Sequence, residues 1–275
     1  MPTELLKIGL TLLAGGLLWR LVWRLHARLG WYRPNFRGEV VPARLGVFPL
    51  LIGLLLWCLF AREQRHWLLA LGYGVLGFLD DQWGQHAPKG MRGHLRALLA
   101  GQLTTGWLKF VGGLALGIAI AWWLDAAAAR EGLLAVSRLL LSGLMIALWA
   151  NFFNLLDVRP GRAGTLFLVL ALPCVLALHL RGDAIGALML LGTALALFAV
   201  LPTDRAGKGM LGDTGSNLLG SVLGTSLVML LPLWVQGLLT LALLLFHLWA
   251  ERHSLTEWIE RHPLLRRVDR LTGVR

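Results

Sequence analysis

Residues 136–156 read VSRLLLSGLMIALWANFFNLL, an apolar run of the length an α-helix needs, ~20 residues, to cross a ~30 Å hydrocarbon core. The pattern recurs on both sides of it. Comparable runs at about 4–28, 45–60, 66–79, 106–124, 164–180, 184–201, 214–231 and 233–250 bring the expected number of spans to about nine. Of the 275 residues, 57% are hydrophobic and 15% charged, where a soluble domain carries about 25% charged residues. The mean hydropathy is +0.67. These features predict an all-α, polytopic membrane helix bundle. They exclude a disordered chain, a small disulfide-stapled secreted domain and most soluble enzyme folds.

The formal net charge of +11 comes from 26 Lys and Arg against 15 Asp and Glu. In a soluble protein that excess would suggest nucleic acid, but membrane proteins gather basic residues on their inner side for topological reasons. There is no zinc-finger spacing and no basic stretch interleaved with aromatics, so no nucleic acid is expected. Cys58 and Cys174 fall inside apolar runs and read as small core residues. The first 29 residues do not read as a cleaved signal peptide, because Arg20, Arg24 and Arg28 follow the apolar stretch rather than precede it. With the N-terminus outside, only Lys7, Arg62, Arg65, Arg130, Arg138 and Arg181 lie on the outer side, and every other basic residue lies at the cytoplasmic face. The expected location is the cytoplasmic membrane, multi-pass, with the long loops inside.

Two regions are expected, a transmembrane part over residues 1–250 and a cytoplasmic amphipathic tail over 251–275. In the tail, Leu255, Trp258, Ile259, His262, Leu265 and Val268 recur near a 3.6 period among arginines. That pattern suits a helix lying on the inner leaflet, apolar side down, and equally a helix packed against the cytoplasmic loops.

The scarce acidic residues mark candidate chemistry at that face. Asp80 and Asp81 adjoin in GFLDDQWG (77–84), at the end of the third span. Adjacent carboxylates at a membrane boundary need a cation or a basic partner, unless they simply stand in water. In NFFNLLDVRPG (151–161), Asn151, Asn154 and Asp157 recur every three residues along one side of a helix. They line a polar cavity or hold helices together. In AGKGMLGDTGSNLLG (206–220), Gly212 and Gly215 allow tight turns beside Asp213, and the N–H groups near Gly215 and Ser216 would face an anion, with Lys208 nearby. A helix cap or an interspan turn would look similar. Lys89 and Arg92 add positive charge suited to a metal-bridged pyrophosphate, or are ordinary basic decoration of the inner face.

GFLDDQWG, NFFNLLDVRPG and MLGDTGSNLLG, in this order and on one face, resemble the polyprenyl-phosphate N-acetylhexosamine-1-phosphate transferases. KGMRGHLRALLAGQLTTGWLK (89–109) is similar to a short branch of that family, and the likeness spans about residues 35–220. The resemblance implies a magnesium-dependent phosphoglycosyl transferase with a cytoplasmic cleft, and manganese as a substitute metal. It would transfer an N-acetylhexosamine-1-phosphate, of GlcNAc or MurNAc-peptide type, from a UDP-sugar to polyprenyl phosphate and release UMP in envelope glycan synthesis. It implies catalytic roles for Asp80 and Asp81, and metal ligation by Asp213, Asp81 and Asp157. It also implies substrate contacts for Asn151, Asn154, Asp157, Lys89, Arg92, Lys208, Met210, Gly212, Gly215 and Ser216. It leaves room for a homodimer.

The sequence departs from the family's usual pattern in three places. DVRPGRAG replaces DGxDGLA, with Pro160 where an aspartate often sits; Met210 replaces an aromatic; and only His247, His253 and His262 lie beyond the eighth span, without the family's histidine cluster. The alternative reading is therefore a catalytically weak homologue that binds lipid phosphate or a partner enzyme and regulates envelope synthesis. A small transporter is the other rival, since Asn and Asp inside spans also line transport paths.

Overall fold

The computed structural model describes residues 2–84, 93, 96, 97, 99–102, 104–126 and 132–274. Over these residues the chain forms α1 (Pro2–Leu29), β1 (Tyr32–Pro34), β2 (Val40–Pro42), α2 (Val47–Phe60), α3 (Arg65–Trp83), α4 (Thr105–Ala126) and α5 (Leu133–Leu156). There follow α6 (Arg162–Leu180), α7 (Ala184–Arg205), α8 (Gly212–Leu230), α9 (Leu233–Ala250), α10 (Leu255–Arg261) and α11 (Pro263–Thr272). Among the described residues, 5 helices are long and apolar enough to cross a membrane: α4, α5, α6, α7 and α9. The other four expected stretches are occupied by α1, α2, α3 and α8, so about nine spans is not the count this measure gives. Helix α2 has only 14 residues. Helix α8 is enclosed by protein and needs no lipid-compatible surface: nearly every residue from Thr214 to Ser226 is buried.

That enclosure organises the bundle. Helix α8 packs chiefly between α3 and α5, with α6 also against it, and α4 bridges α3 and α5. Trp67, Phe153 and Phe167 are fully buried in this core. Several buried hydroxyls of the bundle donate to backbone carbonyls. Ser221 Oγ donates to the Ala70 carbonyl at 2.8 Å, which ties α8 to α3.

Where α3 meets the start of α8, there is room only for a hydrogen side chain. A Cβ on Gly77 would collide with the Asp213 carbonyl. Gly77→Val should therefore separate the two helices and destabilise the protein by about 1–3 kcal/mol, the usual cost of overpacking. A thermal melt in detergent reads this; an unchanged midpoint would show that the contact is loose.

The stretch between the first two apolar runs forms a hairpin with Arg33 opposite Val41. Its short turn is closed by the Asn35 side chain, whose Oδ1 accepts from the N–H groups of Arg37 (2.8 Å) and Glu39 (3.0 Å). The chain then pairs with the turn before α8: Met210 N–H donates to the Pro42 carbonyl (2.8 Å), Leu45 N–H to Met210 (3.0 Å) and Gly46 N–H to Leu211 (2.9 Å). This ladder sets Arg44, Met210 and Gly212 side by side.

The tail does not hang free. The Arg162 guanidinium makes two bonds to the Asp269 carboxylate, at 2.8 and 3.1 Å, and both residues are buried. Arg205 donates to the Leu271 carbonyl at 2.7 Å, and Val274 N–H to the Arg205 carbonyl at 2.9 Å. Of the two placements open to the tail, packing against the bundle's loops is present. Yet Leu264, Val268 and Leu271 are exposed on the face of α11 turned away from the protein.

Candidate functional site

Helix α3 ends in the two aspartates, and the Gly77 contact sets that end against the beginning of α8. Asp81 is absorbed there. Its Oδ1 accepts from Asp213 N–H at 3.0 Å, and its Oδ2 accepts from Thr214 N–H at 2.9 Å and Thr214 Oγ1 at 2.7 Å. A carboxylate from another helix thus caps α8, satisfying N–H groups that have no partner within their own helix. Gly212 precedes the cap with a φ of +76°, and a Cβ there would lie 2.6 Å from the Ala43 carbonyl oxygen and 3.0 Å from Asp81 Oδ2. Only glycine fits that turn without strain.

Asp80 and Asp213 meet a residue the sequence reading did not single out. Lys109, one turn into α4, bridges them, with Nζ 3.4 Å from Asp80 Oδ2 and in direct contact with Asp213 Oδ2. From α5, Asn154 completes the cluster. With its amide oriented to satisfy all its neighbours, its nitrogen donates to Asp213 Oδ1 (2.9 Å) and Ser216 Oγ (3.0 Å), and its oxygen accepts from Lys109 Nζ (2.9 Å). An ionisable residue inside an apolar span was itself a signal for a site. Lys109 could have been found that way instead of being counted with the inner-face charges.

Asp80 and Asp213 border a cavity of about 350 Å³ lined by Arg33, Ala43, Arg44, Asp80, Asp81, Gly84, Asp157, Met210, Gly212 and Asp213. Arg44 is buried, held by the Gln82 side chain and by the Asp81 carbonyl at 2.6 Å, with its guanidinium over the Trp31 and Phe78 rings. Asp157, in the turn after α5, has its pKa pushed well up by burial and by the carboxylates of Asp204, Asp213 and Asp81. Four carboxylates therefore border one small cavity with two arginines, with Lys109 paired to Asp80 and Asp213, and a cation beside Asp157 would offset the repulsion from Asp204, Asp213 and Asp81.

The expected residues divide into five sets. Asp80, Asp81, Asp157, Met210, Gly212 and Asp213 line the cavity. Asn154 stands directly behind Asp213. Gly215 and Ser216 lie deeper: both are buried, Gly215 against Gly46, and the first N–H groups of α8 are taken by Asp81 instead of facing an anion. Asn151 and Lys208 are exposed and are not among the cavity's lining residues. Lys89 and Arg92 lie outside the described residues. Arg33 and Arg44, which the sequence reading did not propose, line the cavity from the hairpin side.

Among the described residues no group of three or more His, Cys, Asp or Glu side chains forms a ready-made metal cage. The donors at the cavity are hard carboxylate oxygens, and a magnesium ion usually takes one or two of these together with substrate phosphates. The residues fit that mode of binding. A family model described as glycosyl transferase family 4 matches residues 65–231, from the start of α3 through α8. A search of curated proteins finds no match.

Proposed function

The chain belongs to glycosyl transferase family 4, the polyprenyl-phosphate N-acetylhexosamine-1-phosphate transferases, and from that premise we propose that it transfers an N-acetylhexosamine-1-phosphate from a UDP-sugar to polyprenyl phosphate, with release of UMP. The reaction would take place at the cytoplasmic face of the cell membrane. The observation that carries this reading is the cavity lined by Asp80, Asp157 and Asp213, all inside the matched segment, with Lys109 paired to Asp80 and Asp213 and Arg44 lining it from the hairpin side.

The chemistry asks for little beyond charge control and position. An oxygen of the lipid phosphate attacks the sugar-bearing phosphorus of the donor. The bond from that phosphorus to the bridging oxygen breaks, and UMP leaves with the oxygen. Phosphate monoesters have a second pKa of about 6, so the attacking group is largely dianionic at neutral pH. Asp80 therefore need not act as a strong base; beside Lys109 it sets the lysine's position and the local charge. Asp157 and Asp213 would hold a magnesium ion together with the donor's diphosphate. Magnesium bound there supplies charge neutralisation to a reaction that crowds phosphates together. Asp81 supports the site by fixing the start of α8, and Met210 is offered to the nucleotide as an apolar contact.

The alternative, a homologue that binds but does not turn over, draws on the DVRPG turn, in which Pro160 stands where relatives often carry an aspartate. A first test bears on the transferase reading. UMP with magnesium should raise the melting temperature of the purified protein by mass action, and EDTA should remove the gain. A shift independent of metal, or none at millimolar UMP, would contradict the transferase reading of this cavity.

A further inference from the structure

We propose that α7 and α11 together form a second site, which binds the phosphate of an anionic glycerophospholipid in the bilayer leaflet at this end of the bundle. A cavity of about 570 Å³ lies between Phe198, Leu201, Pro202 and Arg205 of α7 and Arg270 and Val274 of the tail. The α7 residues fall at i, i+3, i+4 and i+7, so they form one stripe along the helix. Phe198 stands about 10 Å along the axis from Arg205, at ~1.5 Å per residue. Helix α7 is long and apolar enough to cross a membrane, and Phe198 on it is 65% exposed. The cavity wall thus runs from apolar at the depth of lipid tails to cationic at the depth of headgroups.

The cationic rim is built rather than incidental. The buried Arg162–Asp269 pair fixes the rotation of α11, and Arg270 follows Asp269 directly, at the cavity edge. Arg205 spends a donor on the Leu271 carbonyl, which anchors its guanidinium beside the tail and leaves other N–H groups for a ligand. No carboxylate is among the residues lining this cavity. With this docking, Leu264, Val268 and Leu271 face away from the protein on the same helix, which suits an element seated in the membrane interface. Two arginines, above an apolar wall open to the bilayer and with no carboxylate among the lining residues, match a phosphate ester carrying acyl chains. The site is separate from the acidic cavity and does not depend on the transferase reading.

The test uses the full chain, purified in detergent and stripped of lipid. Thermal midpoints are measured with phosphatidylglycerol, with phosphatidylcholine of the same chains, and with inorganic phosphate. Phosphatidylglycerol should give the largest shift, phosphatidylcholine at most half of it, and phosphate none. Arg270→Gln, at an exposed position, should at least halve the phosphatidylglycerol shift, Arg270→Lys should retain most of it, and Phe198→Gln should also reduce it. The UMP response of each variant should match that of the wild type. Equal shifts with both lipids, a shift reproduced by phosphate alone, or a full shift in Arg270→Gln would each overturn the proposal.

Discussion

Asp213→Asn is expected to lower sugar-phosphate transfer by about 10²–10³-fold or more, the range seen when one electrostatic contact to the reacting charge is removed. The protein should stay folded. The amide keeps the size of the carboxylate, and its oxygen can still accept from Lys109 or Asn154. The backbone bonds that start α8 come from Asp81 and not from the Asp213 side chain. What is lost is one negative charge between Lys109 and the cavity, the charge that a magnesium ion and its diphosphate would need. Transfer assays and thermal melts on the same preparation separate the two effects. Transfer at the wild-type rate would remove Asp213 from the metal site, and a collapsed melt would show instead that the residue holds the bundle together.

The second large effect concerns stability. Asp269→Ala leaves the Arg162 guanidinium, 5% exposed, without its bidentate partner. Breaking a buried pair from one side costs about 3–5 kcal/mol, because the stranded charge remains desolvated. The melting point should fall, and the segment after Ala250 should become open to limited proteolysis. Replacing both members with leucine should recover much of the loss, since no charge is then stranded. An unchanged melt in Asp269→Ala would mean that α11 is not docked through this pair.

Much of this architecture was legible in the sequence, because hydropathy and helical spacing are local signals. The apolar runs marked out the bundle, and the three-residue spacing of Asn154 and Asp157 placed both at one end of α5. Asp213 stood out in the sequence by its glycine-rich turn, and it lines the acidic cavity. Other features depend on partners far away in the chain. Asp81 caps a helix that begins more than 130 residues later, and no local pattern distinguishes such a cap from a metal ligand. Gly215 and Ser216 were expected at an anion-facing helix start. That expectation treated the start of the helix as open, and a carboxylate from α3 accepts the N–H groups of Asp213 and Thr214 there. The hairpin at 32–42 has strands of three residues, too short for a period to show, and its pairing is fixed by the turn at Met210. The tail's amphipathic pattern was legible, but its polar anchor is one aspartate facing an arginine at the start of α6.

The central claim is that this chain joins a sugar phosphate to a lipid phosphate. The most direct measurement incubates the purified protein with polyprenyl phosphate, magnesium and a panel of UDP-N-acetylhexosamines, and follows both products by mass spectrometry. UMP and a polyprenyl-diphospho-sugar should appear in equal amounts with at least one donor, and neither should form with Asp213→Asn. If UMP binds in a magnesium-dependent way but no donor yields the lipid-linked sugar, the account of this protein as a transferase is contradicted.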